Sequence, residues 1–218
     1  MPVAAHSRKR ARRGRRGGSV GDSVARVTGA PPQLLALVEA AYRQHFEVAP
    51  ARASVSFLGV EPIEILRYPD QREDHYLSLG MSRYPMADPS DLVVAADSAP
   101  RAELLLSVAG QREAVWRKLA VMAAAPAVEG AVYLAGNRID LGEPLCLGSR
   151  CTGGVLTAGP LQPIAISGIA PVRVLRVLPA TQTELAWVRV HGSERLEQRW
   201  LAAGTELADL MRDSVGLS

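Results

Sequence analysis

Four short apolar segments follow one another between two helical segments, and this order restricts the fold more than any other feature of the sequence. The four segments are residues 54–58, 63–68, 76–82 and 103–108, and proline, aspartate and glycine separate them. Short apolar runs bounded by such residues are typical of β-strands joined by turns. We expect these four strands to pair as a largely antiparallel sheet.

Helical patterns flank this strand region. Pro31 and Pro32 open the first helix, since proline fits a first turn in which its missing donor is not needed. Its apolar face is predicted from residues that recur at helical spacing, namely Leu34, Leu35, Leu37, Val38, Ala41, Tyr42 and His45. A second helix is expected over residues 112–125, with Trp116 on its inward face, Arg112 on its polar side and Pro126 ending it.

The C-terminal half predicts three more strands, near residues 138–141, 155–158 and 172–178. Thr181 and Glu184 have the spacing of a capping box, which predicts a helix to about residue 190. Gly192 stops that helix, Ser193 is expected to cap the next one, and residues 205–212 to form a last short helical turn. The predicted fold class is α+β, with a mostly antiparallel sheet packed by helices and a C-terminal helical hairpin.

Charge divides the chain into two parts. Residues 1–28 carry eight basic side chains and one acidic one, Asp22, which is a net charge of +7. The whole chain has a net charge of +3, so residues 29–218 carry a net charge of −4. This first segment is rich in Arg and Gly and has almost nothing apolar to bury, which predicts a disordered basic tail at 1–28 and one folded domain at 29–218. A mildly acidic body has no clustered cationic face for phosphate, so nucleic-acid binding by the domain itself is disfavoured.

The tail itself can attract polyanions. Its cationic cluster consists of Arg8, Lys9, Arg10, Arg12, Arg13, Arg15 and Arg16. Such a cluster gains salt-dependent affinity for nucleic acid by releasing counterions. It contains no aromatic side chain for base stacking, so any binding would be non-specific. A dispensable extension explains the tail equally well.

Catalytic and metal motifs are weak in this sequence. A Gly-x-Ser-x-Gly pattern at 17–21 lies in the basic tail, without the strand and helix that a nucleophile elbow needs. Cys146 and Cys151 could supply two metal ligands, but a closed zinc site needs four. We therefore predict no catalytic residue, no metal site and no cofactor.

One acidic loop allows a hydrolase as an alternative. Asp70, Glu73 and Asp74 precede His75, and an imidazole beside carboxylates is a common arrangement for acid–base catalysis. The same residues also fit a solvated hairpin connection, which we favour.

Location is predicted from what the sequence lacks. It has two cysteines, no hydrophobic signal segment and no apolar run near the ~20 residues that span a bilayer. We expect a cytoplasmic protein with no membrane partner.

Several segments together resemble the suppressor of fused family, which is present in animals and in many bacteria. The resemblance covers about residues 32–204 and rests on segments 65–69, 79–82, 101–106, 116–122, 136–142, 177–184 and 191–192. It implies a non-enzymatic α+β domain that binds other proteins. Animal members hold a transcription-factor peptide between this domain and a further C-terminal domain that has no counterpart in this sequence.

The resemblance to bacterial single-domain members implies an immunity or antitoxin-type protein that neutralises a toxin, or an adaptor. The contact patch with a partner is predicted at Met81, Arg83, Tyr84 and Met86, because Met, Tyr and Arg are enriched at interface centres. Ordinary edge-strand packing is the alternative role for these four. A partner peptide could also add to an unpaired sheet edge.

Overall fold

The computed structural model describes residues 31–87, 98–110, 112 and 114–217. The predicted α+β fold is confirmed. The elements are, in chain order, α1 (Leu34–Phe46), β1 (Ala51–Phe57), β2 (Val60–Tyr68), β3 (Glu73–Leu79), a 3₁₀ turn (Met81–Arg83), β4 (Arg101–Ala109), α2 (Val115–Glu129), β5 (Arg138–Asp140), β6 (Cys151–Ala158), β7 (Val172–Thr181), α3 (Gln182–His191) and α4 (Ser193–Ala202).

The seven strands that the structure describes form one sheet in the order β1-β2-β3-β4-β7-β6-β5. The first four pair antiparallel, as predicted. Strands β4 and β7 pair in parallel, and β7-β6-β5 continue antiparallel. A parallel pair needs a long crossover, and the chain from α2 to β6 supplies it.

The central strand β4 is covered on both faces. Leu104 and Leu106 pack into the core under α2, whereas Leu105 packs into the core under α1. Successive side chains of a strand point to opposite faces, so a strand covered twice is apolar at nearly every position. This explains the continuous apolar run that the sequence shows there.

Helix α1 buries a narrower stripe than its sequence predicts. Leu34, Val38 and Tyr42 are buried at a spacing of four residues. The prediction that His45 and Leu37 lie on the buried face is wrong, since His45 is exposed and Leu37 is 43% exposed. A spacing of three or four residues admits neighbouring stripes, and only one of them faces the sheet.

Helix α2 extends through Pro126 to Glu129, so the prediction that Pro126 ends it is wrong. Proline removes one backbone donor, and the ends of a helix tolerate this better than its centre. The buried residues Met122, Ala123 and Ala124 hold this last part of the helix against the sheet. The helix ends at Gly130, which has a φ of 71° and donates its amide to the Ala125 carbonyl.

The C-terminal hairpin begins with the predicted capping box, which is confirmed. The Glu184 amide donates to Thr181 Oγ1 at 3.2 Å, and the Thr181 amide donates to a Glu184 carboxylate oxygen at 2.9 Å. The prediction that Ser193 caps α4 is wrong, because Ser193 is the first helical residue and the cap position is Gly192, without a side-chain hydrogen bond.

Residues 205–212 form turns, so the prediction of a helical turn there is wrong. Their carbonyl groups are used by other elements. The Ala109 amide donates to the Ala208 carbonyl at 2.8 Å, and the Arg150 amide donates to the Leu210 carbonyl at 3.0 Å. Carbonyl groups bound in this way cannot serve an intrahelical ladder.

Candidate functional site

The turn after β3 is held by a buried carboxylate. Glu103 is fully buried and accepts hydrogen bonds from the Ser78 hydroxyl, the Gly80 amide, and the amide and hydroxyl of Ser82, at 2.5–3.0 Å. A buried carboxylate needs such donors to offset its lost hydration. We call Glu103, Ser78, Gly80 and Ser82 the Glu103 clamp. It fixes the backbone of the 3₁₀ turn.

Arg101 lies two residues before Glu103 on β4, so its side chain is on the same face of the sheet and supports the same turn. It is 1% exposed, and its Nη1 donates to the Ser82 and Arg83 carbonyl oxygens at 2.8 Å. Burial lowers the pKa of Arg101. The Arg-Ala-Glu triplet of the sequence is therefore a structural feature, in which two charged residues of one strand hold the preceding turn.

The four residues predicted as a contact patch have unequal exposure. Met81 and Met86 are 3% and 2% exposed and belong to the core under α2, so the prediction that they are exposed is wrong. Arg83 and Tyr84 are half-buried. The Arg83 guanidinium pairs with Glu61 at 3.0 Å and donates to the Pro62 carbonyl at 2.7 Å.

The acidic loop predicted as a hydrolase alternative is divided by the sheet. Asp74 points to the α2 face and pairs with Arg67 at 3.0 Å. His75, the next residue along β3, points to the opposite face and its Nδ1 lies 2.9 Å from Ser107 Oγ. Glu73 lies with His75 beside a pocket of about 250 Å³, whereas Asp70 is exposed in the β2–β3 connection.

A larger groove lies between the edge strand β1 and the start of α2. It has a volume of about 520 Å³, within the ~300–1,000 Å³ typical of ligand pockets. We call it the β1 groove, and it is lined by Ala51, Arg52, Ala53, Ile65, Arg67, Tyr76, Arg112 and Trp116.

The local sequence explains why this groove is open. Ala51 and Ala53 lie opposite Arg67 and Ile65 in the β1–β2 register, so at these two positions the edge strand offers only methyl groups. Trp116, in the first turn of α2, is half-buried and contributes to the wall of the groove. Small side chains beside a large aromatic one leave a space that the sheet itself does not fill.

The three arginines of the groove differ in their partners. Arg52 pairs with Glu39 and Glu64, and Arg67 pairs with Asp74, whose hydrogen bond raises the pKa of Arg67. The Arg112 guanidinium makes no hydrogen bond or ion pair with any residue that the structure describes, and its Nε is buried. An unpaired buried polar atom calls for an explanation in a native structure.

No groove is predicted at this place from the sequence. Trp116 is predicted on the inward face of α2 and Arg112 on its polar side, yet both line the same space. The alternating alanines of β1 were the available signal. Their meaning depends on which helix packs over the edge strand, which local periodicity does not reveal.

A second polar cluster lies under the C-terminal hairpin. Glu184 is fully buried and pairs with Arg212 through both carboxylate oxygens at 2.8 Å. It also accepts from Trp200 Nε1 at 2.9 Å and from the Val215 amide at 3.0 Å. Burial by itself raises the pKa of Glu184. The hydrogen bonds lower it by more than burial raises it, so the pKa of Glu184 lies below its usual value. We call this group the Glu184 clamp.

The two cysteines are buried and free. Burial raises the pKa of the Cys151 thiol to about 12, which leaves it without thiolate character at neutral pH. Within residues 31–87, 98–110, 112 and 114–217, no group of three or more potential metal ligands converges. The arginine cluster of the predicted basic tail lies outside these ranges. No helix in the described part is long and apolar enough to cross a membrane.

Comparison with known proteins gives a consistent family. A putative suppressor of fused homologue from Neisseria gonorrhoeae is 16% identical, with a TM-score of 0.63 over 84% of this chain and 97% of that chain. The structure described as the Sufu–Fu complex is 15% identical, with a TM-score of 0.59 over 83% of this chain and 90% of that chain. Drosophila Suppressor of Fused is 15% identical, with a TM-score of 0.61 over 85% of this chain and 51% of that chain.

At these identities the structural matches show the fold alone. A search of curated protein sequences found no significant match. The family model for suppressor of fused protein matches residues 59–213, most of the chain. The chain therefore belongs to the suppressor of fused family, as the segments from Ile65 to Gly192 had indicated.

Proposed function

We propose that this domain binds another protein and that an extended segment of the partner adds to a free edge of the sheet. One observation carries the proposal. Strands β1 and β5 each pair with one neighbour only, among the strands that the structure describes. A free edge presents unpaired backbone donors and acceptors, which an incoming strand can satisfy.

Family membership supports the same function. The related Sufu–Fu structure is a complex of two proteins. The finer role that we propose is an immunity or antitoxin-type protein, or an adaptor, in the cytoplasm of a bacterium. Its support is the likeness in fold to the bacterial homologue over 84% of this chain. We propose no catalytic step and no cofactor for this role.

The test is co-expression of the full chain with proteins encoded beside its gene, followed by light scattering and amide hydrogen exchange. We expect a stoichiometric complex in which the amides of β1 or β5 exchange more slowly than in the free protein. A complex that leaves both edges unprotected would contradict strand addition. Failure of every neighbour to bind would contradict the immunity role.

A second candidate function is hydrolysis at His75 and Ser107, because their 2.9 Å contact lies beside a pocket. Among the described residues no carboxylate is hydrogen-bonded to the His75 ring, since Asp74 points to the other face of the sheet and binds Arg67, and Glu73 shares the pocket without a hydrogen bond to His75. We expect the wild-type protein to show no ester turnover that depends on Ser107, so the Ser107→Ala variant should behave as the wild type does. The control is Ser56→Ala, an exposed serine on β1. Turnover lost only in Ser107→Ala would establish hydrolysis.

A third hypothesis is polyanion binding by residues 1–28, and it rests on the sequence alone. Deletion of this segment is expected to abolish salt-sensitive retention of the protein on DNA. Unchanged retention after the deletion would eliminate the hypothesis.

A further inference from the structure

We propose that the β1 groove is the docking site for an acidic, extended segment of a partner protein. In this arrangement the backbone of the segment adds to the free edge of β1, and one of its carboxylates pairs with Arg112. This inference rests on the proposed function and assigns the edge, the residue and the chemistry of the partner.

Charge is the first argument. The residues that line the groove include three arginines and no acidic side chain. Glu39, Glu64 and Asp74 already neutralise Arg52 and Arg67. Arg112 has no such partner among the described residues, and its buried Nε lacks an acceptor. A carboxylate from outside would supply the missing acceptor with a charge-assisted hydrogen bond.

Shape is the second argument. Ile65 and Tyr76 are 2% exposed, so they form a firm floor, while Trp116 stands half-buried at the wall. Tryptophan and arginine are the residue types that most often dominate binding energy at interfaces. The methyl groups of Ala51 and Ala53 leave room for a side chain that descends from the edge.

The edge itself is the third argument. Strand β1 pairs with β2 from Ala51 to Phe57, and no described strand pairs with its other side. In strand addition, backbone hydrogen bonds provide affinity, and pockets for alternate side chains provide specificity. Ala51 and Ala53 face the groove together, so alternate side chains of an added strand would enter it.

The occupant follows from charge complementarity. Residues 1–28 of this chain carry eight basic side chains against one acid, so they would be repelled by an arginine-lined groove. An acidic segment of another protein satisfies both the guanidinium and the strand edge. A second copy of this chain is the remaining occupant, and the experiment distinguishes it.

The experiment uses the full chain and a short fluorescent peptide in which glutamate alternates with valine or threonine. We expect binding in moderate salt, weakened about tenfold or more by Arg112→Ala. The matched control is Arg189→Ala, an exposed arginine on α3 that lies outside the groove. We expect this control to bind the peptide as the wild type does, and both variants to retain the wild-type circular dichroism spectrum.

Two altered peptides separate charge from backbone pairing. A peptide with glutamine in place of glutamate tests the carboxylate, and a peptide N-methylated at alternate amides keeps the charge but cannot add as a strand. We expect both to bind weakly. Equal binding of either altered peptide, or equal loss in Arg112→Ala and Arg189→Ala, would overturn the proposal.

Three further outcomes identify other occupants or separate the two proposals. A sulfated polysaccharide that competes as strongly as the acidic peptide would show a general polyanion site and overturn the assignment. A dimer that Arg112→Ala dissociates, seen by light scattering, would show a second copy as the occupant and also overturn it. A partner complex that survives Arg112→Ala and protects only β5 would overturn the groove while leaving the proposed function intact.

Discussion

Arg212 and Arg112 each lie near a tryptophan, but of these two only Arg212 has a carboxylate partner among the described residues. Arg212 lies 5.5 Å from the Trp200 ring centroid and is held by Glu184 through both oxygens. Arg112 lines the β1 groove with Trp116 and pairs with no described carboxylate. The first arrangement has its carboxylate among the described residues and stabilises the fold, although Arg212 Nε is itself buried without an acceptor there. The second has no acid among the residues that the structure describes, and we propose that a partner supplies it.

An arginine near a tryptophan can therefore stabilise the fold or bind a partner, depending on whether the described chain provides its carboxylate. In the Glu184 clamp, the carboxylate receives hydrogen bonds from Arg212, Trp200 and two backbone amides. Removing one member leaves a buried charge without compensation. In the β1 groove, the loss of Arg112 removes no described contact of its guanidinium. Stability and binding should thus respond oppositely to substitutions at the two places.

The largest expected effect is on stability at the clamp. Arg212→Ala should lower the free energy of unfolding by about 3–5 kcal/mol, because Glu184 stays buried without its cation. Arg112→Ala should change it by less than about 0.5 kcal/mol, as is usual for a side chain without such partners. Urea unfolding of both variants measures the difference. Equal losses would remove the distinction between the two sites.

The tryptophans should follow the same order. Trp200→Phe removes the Nε1 donor to Glu184 and should cost about 1.5–3 kcal/mol, the range for a hydrogen bond to a charged group. Trp116→Phe loses no hydrogen bond that the structure describes, so its cost should be smaller. Urea denaturation at constant pH provides the measurement, and a larger loss in Trp116→Phe would contradict the comparison.

The pH dependence of stability tests the charge of Glu184. Its pKa is lower in the folded protein than in the unfolded chain, so its contribution is fully present above the unfolded pKa of about 4.3 and is lost as pH falls through the folded value. Glu184→Gln should therefore make the decline of stability below about pH 4.3 less steep. The control is Glu206→Gln, an exposed residue of the same C-terminal segment. Parallel curves for wild type and Glu184→Gln would refute this role.

The smallest stability effect is expected at the start of α3. Thr181→Ala removes the hydroxyl that caps the helix and should cost about 1 kcal/mol. Thr183→Ala, on the exposed side of the same helix, is the matched control and should cost little. Thermal unfolding of the pair measures the difference, and a cost at Thr183 equal to that at Thr181 would count against the cap.

Local signals in the sequence predicted the elements that depend on near neighbours. The Thr181 capping box and the apolar β4 segment were found this way, because each is encoded within a few residues. The Glu103 and Glu184 clamps were not found. Glu103 receives donors from residues 21–25 positions away, and Glu184 receives Arg212 from 28 positions away. Such partners are set by the topology of the sheet and not by spacing along the chain.

The predicted contact patch also shows that local sequence signals do not reveal tertiary packing. Methionine is a residue type enriched at interfaces, but Met81 and Met86 fill the core under α2. They follow Gly80, where the Glu103 clamp holds the turn after β3. Arg112 and Trp116 were predicted on opposite faces of a helix but line one groove. Residue type alone did not separate core from surface at these positions. Their burial depends on how helix α2 and the turn after β3 pack on the sheet.

A double-mutant cycle between Arg112 and the glutamates of the acidic peptide tests directly whether a partner's carboxylate occupies the β1 groove. Arg112→Ala is combined with each single glutamate-to-glutamine change, and the four affinities of every cycle are measured in the full chain. We expect one glutamate to couple to Arg112 by about 1.5 kcal/mol or more, as close charge pairs do. Coupling near zero for every glutamate would contradict the claim that a partner's carboxylate completes this site.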